Sequence, residues 1–149
     1  MIKFYFLTKL FFIFLIMCIN ANANETNFFA EGQKLYEVKK YKEAKIFFER
    51  DIVFNPKEYK SYLYLAKIFK QNDNDEELEK NLNNVLLLNP NNDEAIYLLI
   101  LLKIKQSDYT KSNELIDKFK KVCNLFCNKE NELKSKLDKI NADNEQIKN

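Results

Sequence analysis

Two prolines stand 34 residues apart, and they are the only two in the chain. Each ends the same phrase: FFERDIVFNP closes at Pro56 and NLNNVLLLNP closes at Pro90. A period of this length restricts the chain to folds made of stacked supersecondary units, because one such unit is too small to bury its own apolar face. The units read as helical. Between the prolines, Tyr62, Leu65, Ala66 and Phe69 follow the i, i+3, i+4, i+7 rhythm of one helix face, and Leu78, Leu82 and Val85 continue it on a partner helix. The intervening QNDND, residues 71–75, supplies Asn and Asp for a tight turn and a helix N-cap. Proline cannot continue a helix, so Pro56 and Pro90 end one hairpin and open the next. Gly32, Ala44, Ala66 and Ser112 are small where paired helices have to approach closely. One glycine and two prolines leave few of the turn signals an all-β fold needs.

Aligning on the prolines gives three units, 25–58, 59–92 and 93–126. In the first, Phe28, Gly32, Leu35, Tyr41, Ala44, Phe48 and Pro56 recur at fixed offsets, with KKYKEAKIFFE linking the paired helices. The second keeps Tyr62, Leu65, Ala66, Phe69, Leu82 and Pro90, but has Asp75 and Leu78 where an aromatic and an alanine are usual. The third keeps Ile96, Leu99, Tyr109, Ser112, Ile116 and Phe119, carries Ile100 at a small-residue position and lacks the closing proline. These positions resemble the signature of the tetratricopeptide repeat in all three units. The resemblance implies an all-α fold, a right-handed superhelical α-solenoid of three helical hairpins. Residues 128–141 read as a capping helix, with Asn128 to start it, one apolar stripe of Leu133, Leu137 and Ile140, and the charged KENELKSKLDK as its solvated face. Residues 142–149 read as a flexible tail.

The N-terminus reads differently. Lys3 and Lys9 precede an unbroken apolar run from Leu10 to Ile19, followed by Ala21-Asn22-Ala23. That order is that of a secretory signal peptide over 1–23, cleaved after Ala23. The run is short for a membrane span, which takes about 20 residues. An uncleaved anchor is one alternative. A lipoprotein modified at Cys18 is another, although Met17 is bulky for that motif. The expected location is therefore the bacterial periplasm, with a membrane-anchored form facing the periplasm as the alternative. Loss of Lys3 and Lys9 brings the 24 basic residues level with the 22 acidic ones, which removes any global electrostatic case for nucleic acid.

Catalysis finds little support. The chain has no histidine, the commonest general base, and no nucleophile elbow, phosphate loop or metalloprotease motif. No catalytic residue, cofactor or metal ligand set is expected, since two thiolates after the leader have no His or third Cys to join them. The resemblance instead implies a protein-binding scaffold in which the first helices of the hairpins line a groove for a peptide. Carried over, its lining is Phe29, Gln33 and Tyr36, then Lys60, Leu63, Lys67 and Lys70, then Tyr97, Leu101 and Ile104. Lys60, Lys67 and Lys70 share one side of a helix, so the groove reads as basic in its middle and apolar at its ends. That suits a partner segment with acidic residues flanked by apolar ones; the alternative is that these lysines keep an exposed helix soluble. The sequence lacks the Lys, Asn and Arg set with which the family clamps an acidic C-terminal tail. A structural subunit of an envelope complex or a homo-oligomer is the second functional expectation, and the oligomeric state is left open. Cys123 and Cys127, in an oxidising compartment, suit a local disulfide if the helix ends near Asn124; two thiols packed in the last interface are the alternative.

Overall fold

The computed structural model describes the backbone of residues 27–147 and the side chains as far as Asp138. The leader at 1–23 with its Cys18, the Ile140 side chain and residues 148–149 lie outside the described residues. The chain forms helices α1 (Phe28–Glu37), α2 (Tyr41–Phe54), α3 (Tyr59–Gln71), α4 (Asp75–Leu88), α5 (Asp93–Lys105) and α6 (Tyr109–Val122), then a 3-10 turn (Cys127–Lys129) and α7 (Glu130–Ile147). These are three helical hairpins and a further helix, with no strand among the described residues. The first helices lie side by side: Phe29 of α1 meets Tyr64 of α3, Lys67 of α3 meets Glu94 of α5, and Tyr97 of α5 meets Glu132 of α7. Helices α2, α4 and α6 form the second layer.

The sequence fixes both ends of most helices. Asn27, Asn74, Asn92 and Asp108 each accept a hydrogen bond from the backbone N–H three residues on, at 2.8–3.1 Å. Such a cap is worth about 1 kcal/mol. The turn inside each hairpin passes through a left-handed residue, Lys39, Asp73 or Ser107, with φ of 61°, 52° and 60°. These three are spaced 34 residues apart, so the hairpin geometry imposes the conformation whichever residue type is there.

Gly32 explains how closely α1 and α2 pack. A Cβ built on it would lie 2.8 Å from Cε1 of Phe48, whose fully buried ring occupies that space. The larger part of the core gathers around α5, in which every residue from Ala95 to Ile100 is buried. A helix apolar on all sides is a helix enclosed on all sides. Here α4, α6 and α7 supply Leu82, Phe119 and Leu133 around it.

The two hairpin junctions fill one repeat slot differently. Between the first and second hairpins, buried Asp51 accepts a hydrogen bond from Ser61 Oγ at 2.5 Å and one from Asn55 Nδ2 at 2.9 Å. The residues 34 further on, Val85 and Ala95, are both fully buried and apolar.

The last helix departs from expectation at both ends. Asn128 lies inside the 3-10 turn and does not cap α7, which starts at Glu130. The helix also runs past 141 to Ile147, where a flexible tail was expected. No Gly or Pro interrupts 130–147, and Asn or Asp in a helix costs only tenths of a kcal/mol each. Its Leu133 and Leu137 are buried against α5 and α6, as their stripe predicts.

Candidate functional site

The row α1–α3–α5 carries the groove positions read from the sequence, and the structure divides them. Gln33, Leu101 and Ile104 are half-buried, and Lys60 and Lys70 are exposed, with no ion pair for either lysine among the described residues. Phe29 and Tyr36 are half-buried at the first hairpin. Their rings meet Tyr64 edge-on, with centroids 5.7 and 5.0 Å away, and Tyr64 in turn stacks on Phe48 at 4.9 Å. Tyr64 is thus the hub of an aromatic cluster joining the first two hairpins. Burial, with Tyr41, Tyr64 and Glu94 nearby, raises the Tyr36 phenol above its ordinary pKa.

Three of the expected groove residues are already engaged. Leu63 is buried in the core. Tyr97 is covered as well: its ring packs against Phe126 and Phe119, and its hydroxyl donates to Glu132 Oε1 at 3.3 Å. Helix α7 lies where a fourth hairpin's first helix would, so it closes over the groove position nearest to it. Lys67 places Nζ 2.6 Å from Glu94 Oε1 and 5.0 Å above the Tyr64 ring. The middle of the face therefore holds a neutralised pair, and its free basic charge comes from Lys60 and Lys70 alone. A sequence signal for this pair existed. Lys67 and Glu94 occupy the ninth place of one unit and the second place of the next, the same offset that relates Gln33 to Lys60.

At the far end, Cys123 and Cys127 have Cα atoms 5.1 Å apart and sulfurs at bonding distance. The bridge forms because α6 stops at Val122 and Cys123 is extended, at φ −60° and ψ 142°. Asn124 stands 34 residues after Pro90. Its N–H, with those of Leu125 and Phe126, donates to a single oxygen, Asp93 Oδ2, at 2.8, 2.7 and 3.0 Å. A proline at 124 would remove one of the three donors. Burial pushes the Asp93 carboxyl up, but the backbone N–H groups of Asn124, Phe126, Leu125 and Glu94 outweigh it and hold the group below its ordinary value. Among the described residues, no cluster of three His, Cys, Asp or Glu side chains is placed to hold a metal ion.

No family model matches the sequence, and no curated protein matches it either. Solved structures do match. A tetratricopeptide repeat protein from Parabacteroides merdae superposes with a TM-score of 0.72 at 22% identity, over 83% of this chain and 49% of that one. The chain has the tetratricopeptide-repeat fold. It spans about half the length of that first protein. The Yersinia enterocolitica type III secretion chaperone SycD, in complex with a peptide of the translocator YopD, gives 0.71 at 11% identity, over 84% of this chain and 99% of its own. The TPR2B domain of yeast Sti1, in complex with pHsp70, gives 0.65 at 18% identity, over 74% and 92%. With the repeat established, the three hairpins and α7 correspond to three complete tetratricopeptide units and the first helix of a fourth.

Proposed function

We propose that this chain is an exported, non-catalytic binding module that holds a peptide segment of another protein against the α1–α3–α5 face. The observation that carries the reading is the state of that face. Between the aromatic cluster at Tyr36 and the closed end at Tyr97 it offers Gln33, Lys60, Lys70, Leu101 and Ile104, polar and apolar groups with capacity to spare. The peptide and protein complexes of SycD and the Sti1 domain support this use of the fold. The order of charge, apolar run and small residues over 1–23 supports export, as does a disulfide, which persists in oxidising compartments. The face suits a segment with one or two acidic residues for Lys60 and Lys70 and apolar residues for Leu101 and Ile104. Each screened lysine contact contributes about 0.2–1 kcal/mol, so the apolar anchors carry more of the affinity.

Photocrosslinkers placed singly at Gln33, Lys70 and Ile104 test this in the native envelope. All three are expected to capture one common protein that a crosslinker at Lys111, on α6, does not. Capture of the same protein from Lys111 as efficiently as from the three would refute the assignment of the face.

A further inference from the structure

Among the described residues, seven large apolar side chains are exposed, and five of them stand at one rim, where a hairpin's second helix gives way to the next unit. Val53 is 73% exposed, Phe54 69%, Leu87 79% and Leu125 80%, with Leu88 beside them. Val53 and Leu87 are 34 residues apart, as are Phe54 and Leu88, so the stacking of units sets the pairs in line along one edge. Leu125 takes up the line at the third junction. The three stretches 53–57, 87–92 and 123–128 carry a single charge, Lys57, in a chain where 31% of residues are charged. The rest of each stretch is aliphatic, aromatic, Asn, Pro or Cys. These side chains are not free to fold inwards. Asn55 is tied to Asp51, and the 123–127 loop is closed by its disulfide and by the three bonds to Asp93.

We propose that this rim rests on the surface of a lipid bilayer. The position of the N-terminal segment selects that occupant. Phe28, the second described residue, stacks on Phe54 at 5.3 Å between ring centroids, so residues 1–26 join the molecule at the rim itself. Those residues hold the apolar run Leu10–Ile19, which a bilayer takes up. Residues 20–26 reach at most about 25 Å when extended, at ~3.3–3.6 Å per residue. A bilayer holding the run therefore lies within reach of Phe28 and Phe54. One weak apolar contact binds a membrane reversibly, and a tether converts the second contact into an intramolecular event. An uncharged rim suits the boundary between headgroups and acyl chains, whereas the lysine-rich faces elsewhere do not. The inference rests on residues 1–26 staying attached, and it concerns a different surface from the peptide-binding face.

The chain has no tryptophan, so one introduced indole reports on its own surroundings. Leu87→Trp, Leu125→Trp and, as a control on α6, Lys111→Trp are each made in the full chain. Each is reconstituted into phosphatidylcholine vesicles with brominated acyl chains. Both rim indoles are expected to emit further to the blue with vesicles than without, and to be quenched severalfold more than the control. Equal quenching at Leu87→Trp and Lys111→Trp overturns the proposal. So does a blue shift of the rim indoles before vesicles are added. If that shift is lost on dilution, the rim binds a second copy; if it survives dilution, the rim is covered by residues 1–26.

Discussion

Asp51 and Ser61 offer a direct comparison within one molecule, because Val85 and Ala95 hold the same repeat positions at the next junction. Ser61→Ala removes the hydroxyl that donates to Asp51 Oδ2 and leaves a buried carboxylate with Asn55 as its remaining side-chain donor. An unsatisfied buried group costs about 1–3 kcal/mol, and a charged one lies at the upper end. Asp51→Val removes the charge but strands the Ser61 hydroxyl and the Asn55 amide, at a cost of about 1 kcal/mol. The double variant rebuilds the apolar pair that Val85 and Ala95 already make fully buried. It is expected to match the unchanged protein or exceed it, because replacing both partners of a buried polar pair by well-packed apolar groups is near neutral or stabilising. The coupling between the two sites is then about 2–3 kcal/mol. Urea unfolding followed by helical circular dichroism measures it, provided the slope against denaturant stays constant across the four proteins. A double variant as unstable as the sum of the two single variants would show that the two junctions are not interchangeable, and the reasoning would fail.

Four further outcomes follow from the same contacts. Gly32→Ala gains about 1 kcal/mol of helix propensity but drives a methyl into the fixed ring of Phe48, which costs about 1–3 kcal/mol, so net destabilisation is expected in the same urea assay. The Asp93 carboxyl is depressed in the folded state, so its clamp contributes stability above the ordinary value of 3.8 and loses it as pH falls through the lower folded value; Asn at 93 should flatten the acid limb of a stability–pH curve. Alkylation without reductant should leave the mass of the folded protein unchanged at Cys123 and Cys127, and reduction should cost about 2 kcal/mol for so small a ring. Glu94→Gln releases Lys67 and restores three free lysines to the face, so capture of an acidic segment should tighten, whereas a partner without acidic residues should be indifferent to it.

Local physics made much of the fold legible. Period, turn residues and small residues were all visible, because Gly32 against Phe48 and the caps at Asn74 and Asn92 depend on neighbours a few positions away or one unit away. The candidate face was only partly legible. Leu63, Lys67 and Tyr97 occupy groove positions of the repeat, and nothing in their own helix distinguishes them from Lys60 or Leu101. Their engagement is decided by what comes next in the stack: Glu94 opposite Lys67, and α7 with Glu132 over Tyr97. A solenoid end is where a repeat rule stops applying, since the next neighbour is no longer a repeat. Tyr64 was passed over for a related reason. It lies one place after Leu63 in the helix rhythm, and only the angle between α1 and α3 brings it among Phe29, Tyr36 and Phe48.

The clamp at Asp93 also bears on how the chain acquires its shape during synthesis. The hairpins close over short separations, so the first two can form as soon as they leave the ribosome, in the order they are made. The donors to Asp93 lie 31, 32 and 33 residues downstream. Until the whole of α6 and the loop after it have been translated, that carboxylate has none of the three. The end of the array is thus sealed last, by a residue made before the final hairpin existed. A pause or truncation anywhere between 93 and 126 leaves α5, the most apolar helix, without the helix that covers it.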